Sequence, residues 1–341
     1  MKFAAGYQLP DDDERPFSET IAPYSESLRE VYFPWLDTAS GRSPIATRRG
    51  YTDWTAQARL EEDLRNIKRM GIKLDLLFNA NCYGRLAISE ELRAKVASII
   101  EHLEYSVGGV DVITTTSPFI AQTVKDYFPE IEVRASVNMW IGTISAMDYM
   151  ADIFDSFYVQ REYNRDLEYI AELKEWADAN GKGLYILANS GCFSYCTSHT
   201  FHDNLVAHEN EICETKNVED FSPYVCHRQL ENRDNWYKIL TNSWIRPEDV
   251  HNYEGLVPMM KLATRQHSRP TTVIAAYVNG SFRGNLVDLC EPGYGKELSP
   301  YIIDNKLLPD DFFEVTSKCK RRCHKCDYCK NALKKALVCL E

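Results

Sequence analysis

Residues 72–116 read IKLDLLFNANCYGRLAISEELRAKVASIIEHLEYSVGGVDVITTT. The opening run IKLDLLFNA (72–80) and the closing run VDVITTT (110–116) are rich in branched and aromatic side chains. The stretch SEELRAKVASIIEHLEYS (89–106) between them repeats its apolar residues at three- and four-residue intervals. That pattern is strand, helix, strand. The connection is far too long for a hairpin and suits a crossover, so the two strands are expected to run parallel.

The same alternation extends in both directions. Strand-like runs occur at KFAAGYQL (2–9), EVYFPWL (30–36), IEVRASV (131–137), SFYVQ (156–160), GLYILA (183–188), SWI (243–245) and PMMKLAT (258–264). Helix-like stretches occur at 53–70, 118–128 and 164–181. Strand then helix, repeated about eight times in a chain of 341 residues, predicts a (β/α)8 barrel. A doubly wound open sheet is the alternative, but no G-x-G-x-x-G follows the first strand, which removes the usual reason to prefer a dinucleotide fold.

Three regions break the repeat: the polar loop 37–52 with three arginines, an insertion at 190–242 after the seventh strand, and a cysteine-rich tail. The expected organisation is a barrel over 1–289 that includes the insertion, and a C-terminal extension over 290–341. Active sites of such barrels sit on the loops that follow the strands, which directs attention to the insertion.

A net charge of −11 argues against broad adhesion to nucleic-acid backbones, and a hydrophobic fraction of 44% is that of a globular chain. No cationic and apolar leader and no bilayer-length apolar run is present, so a cytoplasmic protein with no membrane partner is expected. Eleven cysteines are many for a reducing compartment, and ten of them fall within 192–339, which points to metal or iron–sulfur ligation before disulfides.

Two constellations stand out. Cys192, Cys196, Cys213 and Cys226 are separated by three, sixteen and twelve residues in a segment that also carries His199, His202, His208 and His227. Four converging thiolates suit a [4Fe–4S] cluster or a tetrahedral zinc ion, and spacing does not separate the two. The plain alternative is that these are small buried core residues. In the tail, KCKRRCHKCDYCKNALKKALVCLE (318–341), Cys323, Cys326 and Cys329 have the C-x2-C-x2-C spacing of bacterial ferredoxins, with Cys319, Cys290 or Cys339 available as a fourth ligand. Reading Cys319, Cys323 and Cys326 as a radical-SAM motif fails, because only fifteen residues follow Cys326. The quartet Cys319, Cys323, Cys326 and Cys329 is therefore a candidate second cluster or zinc site. The lysines and arginines around it would offset thiolate charge and meet RNA or an acidic partner.

Polar residues at the predicted strand ends are the candidates for a substrate pocket: Gln8, Asn79, Asn81, Thr115, Ser117, Ser136, Asn138, Gln160, Arg161, Asn189 and Arg246. Asn and Gln orient ligands with paired donors and acceptors, and Arg clamps anions. Lys261 and Arg265 add a potential anion site. His199, His202, Asn189 and Arg246 are the first choices for catalytic roles. Neither H-E-x-x-H nor G-x-S-x-G occurs, so zinc-protease and serine-hydrolase chemistry lack their signatures.

With these residues in view, the chain resembles the U32 peptidase-like family, which is named for collagenase-like proteins and includes tRNA and ribosomal-RNA hydroxylation proteins and the anaerobic ubiquinone hydroxylation pair. NSGCFSYCTSH (189–199) followed by Cys213 is similar to the family's cluster loop, and SWIRPEDVHNYEGLVPMMKLATR (243–265) resembles its I-R-P-E-D segment. The first cysteine pair is closer together than in the hydroxylation proteins, and the tail quartet is additional. The resemblance implies a barrel and one [4Fe–4S] cluster on Cys192, Cys196, Cys213 and Cys226. It further implies either oxygen-independent hydroxylation or related redox modification of a small molecule or RNA, or a peptidase. A non-catalytic Fe–S or zinc subunit that binds RNA is the third reading, and a protein partner, the same chain or another, is a further expectation.

Overall fold

The computed structural model describes residues 1–11, 13–36, 38–41 and 53–340. Of the polar loop 37–52, the three arginines lie outside the described residues. Eight parallel strands close into a barrel in chain order: β1 Lys2–Gly6, β2 Leu28–Pro34, β3 Lys73–Phe78, β4 Val112–Thr115, β5 Glu132–Ala135, β6 Ser156–Tyr158, β7 Gly183–Leu187 and β8 Met259–Lys261. Closure comes from β8 pairing with β1 at Phe3 to Met260 and Ala4 to Lys261. The (β/α)8 expectation holds, and the open sheet is excluded.

Helices cover the outside where the apolar periodicity placed them. Trp54–Arg69 starts on Asp53, whose carboxylate accepts from Ala56 N; Glu90–Val107 starts on Ser89, and Pro118–Tyr127 on Ser117, in the same manner. Leu60, Leu64, Ile67, Val96, Ile100 and Leu103 bury against the outward residues Val31, Phe33, Leu74, Leu76 and Ile113 of the strands. Each such side chain contributes about 1.5–3 kcal/mol of apolar burial.

One expected strand does not form. SWI (243–245) is buried irregular chain, because side chains take its backbone acceptors: Asn164 donates to Ser243 O, Arg165 to Trp244 O, and the Tyr277 hydroxyl to Ile245 O. With those carbonyls occupied no ladder can be built, and β7 pairs directly with β8.

The barrel interior departs from the usual filling of branched apolar residues. Beside a cluster of Tyr32, Tyr158, Tyr185, Leu77 and Met259, charged contacts between non-adjacent strands cross the interior. Arg134 on β5 donates through Nη1 to Glu30 Oε2 (2.6 Å) and through Nη2 to Glu30 Oε1 (3.0 Å) on β2, and also bonds Glu132 and Ser156. Its guanidinium lies 4.0 Å from the ring centre of Tyr185. Both partners of the Arg134–Glu30 pair are about 1% exposed or less.

Insertion and tail build a second core. Leu230, Trp236, Ile239, Leu240 and Trp244 pack with Leu286, Leu298, Ile303, Phe312, Leu333 and Ala336. Trp244 stacks on Phe312 at 5.7 Å and 5°, with the Arg165 guanidinium 4.3 Å from the Trp244 ring centre and 5.3 Å from that of Phe312. A two-stranded antiparallel sheet, β9 Tyr301–Ile303 with β10 Leu337–Cys339, completes this layer. Among the described residues no helix is long and apolar enough to cross a membrane.

Replacing Arg134 with Met would strand Glu30 as an unpaired buried charge, and the expected loss is about 3–5 kcal/mol. Urea unfolding reads it as a lower midpoint at constant slope, and the double change Arg134→Met with Glu30→Gln should recover part of the loss.

Candidate active site at the barrel mouth

The chain leaves β7 through Asn189, which is fully buried. Its amide donates to Ala263 O (3.1 Å) and Leu289 O (2.8 Å), and its carbonyl accepts from Ala263 N (2.6 Å). Every strong bond of this side chain goes to backbone, so it fixes the mouth rather than facing a ligand. Gly191 follows, pressed on the neighbouring segment: a Cβ there would lie 2.0 Å from Pro292 O. Tyr195 then adopts a left-handed φ of 56°, held by donation from its N–H to Glu162 Oε1. Such conformations cost about 1–3 kcal/mol and persist where the surroundings enforce them.

The helix His199–Ala207 begins directly above the barrel. Arg161, three residues past β6, donates to Ser190 Oγ at 3.1 Å and lies 2.6 Å from His199 Nε2. His199 Nδ1 is 2.9 Å from Asp203 Oδ2, and Asn81, after β3, donates to Asp203 at 2.9 Å. The imidazole packs edge-on to Trp140 at 4.0 Å. Since guanidinium donates only, Nε2 is the accepting nitrogen, which leaves the proton on Nδ1, beside the Asp203 carboxylate. Loops after β3, β5, β6 and β7 are thereby tied into one network around a neutral histidine.

The other first choices lie apart. His202 is half-buried against Tyr224, 5.1 Å between ring centres. Arg246 pairs with Asp249 and faces Phe312 in the second core rather than the mouth. Gln8 donates to Thr264 O and His267 O, and Asn79 accepts from Gly41 N.

All described cysteines are free thiols. Cys192 and Cys196 act on Cys226, and Cys192 and Cys226 act on Tyr294, whose hydroxyl donates to Gly191 O; burial, before any neighbouring thiol, pushes the Cys226 thiol up. Cys213, by contrast, is exposed at the end of the short helix Glu209–Cys213. Cys319, Cys323, Cys326 and Cys329 form a second group. Burial and the other three cysteines raise Cys329 to about 11, and Arg321 N donates to Cys319 Sγ across a left-handed φ of 53°. Among the described residues no three His, Cys, Asp or Glu side chains already stand in a metal-binding arrangement.

At the floor of the mouth, Lys261 ends β8 and points inward, its Nζ 3.8 Å from the ring centre of Tyr32 and 5.1 Å from that of Tyr158. Asp75 on β3 accepts from Thr114 Oγ1 with Oδ2, while Oδ1 is buried without a partner. Burial raises Asp75 to about 6, opposed by Lys261 and Arg134. Tyr32, Asp75, Trp140 and Asp203 escaped the sequence reading. A signal existed: Glu30, Asp75 and Arg134 put charges at inward positions of otherwise apolar strands, and Asp203 stands one helical turn after His199.

Removing the Arg161 guanidinium leaves Ser190 and His199 without their donor. Arg161→Ala should cost about 1.5–3 kcal/mol and speed proteolysis within 199–213, seen by mass spectrometry of a timed digest. Asp75 titrates higher in the folded chain than the 3.8 of the free side chain. Its contribution is therefore full below pH 3.8 and is lost as pH rises through about 6. Comparing urea midpoints at pH 4.5 and 7, the wild type should lose about 1–2 kcal/mol more than Asp75→Asn.

No family model matches the chain. Over 287 residues, 82% of this chain and 81% of the relative, it is 26% identical to the uncharacterized protease MJ1657 of Methanocaldococcus jannaschii. The solved structure of the U32 peptidase Mk0906 superposes with a TM-score of 0.52 at 15% identity, covering 76% of this chain and 92% of that one. The chain thus has the (β/α)8-barrel fold seen in a solved U32 peptidase and is similar along most of its length to an uncharacterized protease.

Proposed function

We propose that the protein is an iron–sulfur enzyme that carries out a redox modification, in its most concrete form an oxygen-independent hydroxylation, on a small molecule or RNA at the mouth of the barrel. What supports this reading is that Cys192 and Cys196, on the loop that leaves β7 and leads into the His199 helix, act electrostatically on Cys226 further along the insertion. The donor set fits the group in its chemistry: soft, free thiols from a loop next to the mouth, with Cys213 the remaining thiol of the insertion. Cys192, Cys196, Cys213 and Cys226 would hold a [4Fe–4S] cluster, and the tail quartet a second cluster or zinc. Such a cluster, when bound, supplies one-electron transfer or Lewis acidity.

This chain's own residues have separate work. Arg161 and the nearby Asp203 carboxylate flank the His199 ring, and Trp140 packs against it edge to face. The exposed Lys320, Arg322 and Lys325 of the tail would meet an RNA backbone or an acidic protein partner.

A peptidase is the second reading, favoured by the names of the two relatives. It needs an activated nucleophile, whereas burial pushes the Cys226 thiol away from the thiolate form. Anaerobic purification with iron, sulfide and zinc analysis and a visible spectrum decides between them. The expected outcome is a brown protein with about four irons and four sulfides per chain, losing its colour in Cys192→Ala. A colourless protein with stoichiometric zinc, or with no metal, would sink the redox reading.

A further inference from the structure

We propose that Lys261 is a nucleophile whose amine condenses with the carbonyl carbon of an aldehyde or ketone substrate at the floor of the barrel mouth. This goes beyond the redox reading and does not rest on the thiols: Lys261 lies on β8, and Tyr32, Asp75, Arg134 and Tyr158 around it come from β2, β3, β5 and β6.

A lysine inside a barrel demands an explanation. A buried ammonium is normally held by a carboxylate or by carbonyl acceptors. Lys261 is 7% exposed, yet no hydrogen bond or ion pair joins its Nζ to a described residue; its contacts are the faces of Tyr32 and Tyr158. It is the last residue of its strand, at the end of the barrel where substrates bind. Across the interior, the fully buried Asp75 leaves Oδ1 unpartnered. Two unsatisfied groups therefore face the same space, one able to attack and one able to pass a proton.

The charged and titratable groups around Lys261 are Asp75, Glu30, Arg134, Arg265, Tyr32 and Tyr158. Burial pushes the ammonium down, Arg134 and Arg265 add to that, and Asp75 and Glu30 oppose it. Glu30 is already spent on Arg134, and the Tyr32 hydroxyl donates to Leu262 O. Desolvation beside other cations is the setting that activates an amine towards carbonyls.

The step balances without a redox partner. The Lys261 nitrogen attacks the carbonyl carbon, a proton moves from nitrogen to oxygen, and a carbinolamine forms. Asp75 donates its proton to the carbinolamine hydroxyl, water leaves, and the nitrogen returns a proton to Asp75 as the imine forms. Hydrolysis reverses the sequence. Asp75 suits this exchange because burial keeps its carboxyl partly protonated near neutral pH.

The test uses the intact protein with glyoxylate as probe and sodium cyanoborohydride, which reduces an imine to a stable secondary amine located by peptide mass spectrometry. The expected result is an adduct at Lys261 forming at least about tenfold faster than at the exposed Lys320, Lys325 and Lys334, because each pKa unit lost raises the free-amine fraction about tenfold. Lys261→Arg should lose that adduct while keeping the circular dichroism of the wild type. Asp75→Asn should slow it several-fold, and an unchanged rate there would overturn the proton relay. Labelling of Lys261 no faster than the surface lysines would overturn the proposal. Iron and sulfide assayed on the same sample report on the redox reading separately, so either can fail without the other.

Discussion

The buried guanidinium of Arg134 is the constraint around which the barrel is organised. Moving a charge from water into a protein interior costs several kcal/mol, and only complete hydrogen bonding makes it tolerable. Glu30 from the opposite side, Glu132 and Ser156 from the neighbouring positions, and the face of Tyr185 supply that satisfaction. Because the partners come from strands that are not adjacent, the pair also fixes strand register: sliding β2 or β5 by one residue would turn Glu30 or Arg134 outwards and leave the other without its charge. A polar centre of this kind creates the environment in which Lys261 and Asp75 are held.

Much of the fold was legible in the sequence, because strand–helix alternation is a local signal. Eight of nine strand-like runs became barrel strands. The ninth, Ser243 to Ile245, misled because residue composition shows that a segment is buried and extended but not which groups occupy its carbonyls; Asn164, Arg165 and Tyr277 are far away in sequence. The site was less legible for the same reason. Cysteine spacing drew attention to the insertion and Arg161 was visible as a strand-end residue, while the pairing of Arg161 with His199 depends on how the insertion folds back. Asn189 looked like a ligand-facing amide and proves to be a brace, since both ends of its side chain are committed to backbone.

The mouth combines two kinds of element. Its floor is set by strand ends, whose register is fixed by the ladder, and this is where Lys261 and Tyr32 sit. Its wall is set by the insertion, anchored at Gly191 and at the His199 network but carrying exposed stretches such as Cys213 and Phe221. A rigid floor with an adaptable wall lets one part of a ligand be held in fixed geometry while the wall accommodates the remainder.

The shared core of insertion and tail has a consequence for how the chain is made. A ribosome delivers Trp236, Ile239 and Trp244 well before Phe312, Leu333 and Ala336, the residues that cover them. Until those emerge, the aromatic face of the insertion has no partner and the thiols beside it stay exposed to solvent and oxidants. The insertion therefore cannot complete its core from its own segment and needs the tail residues to cover it.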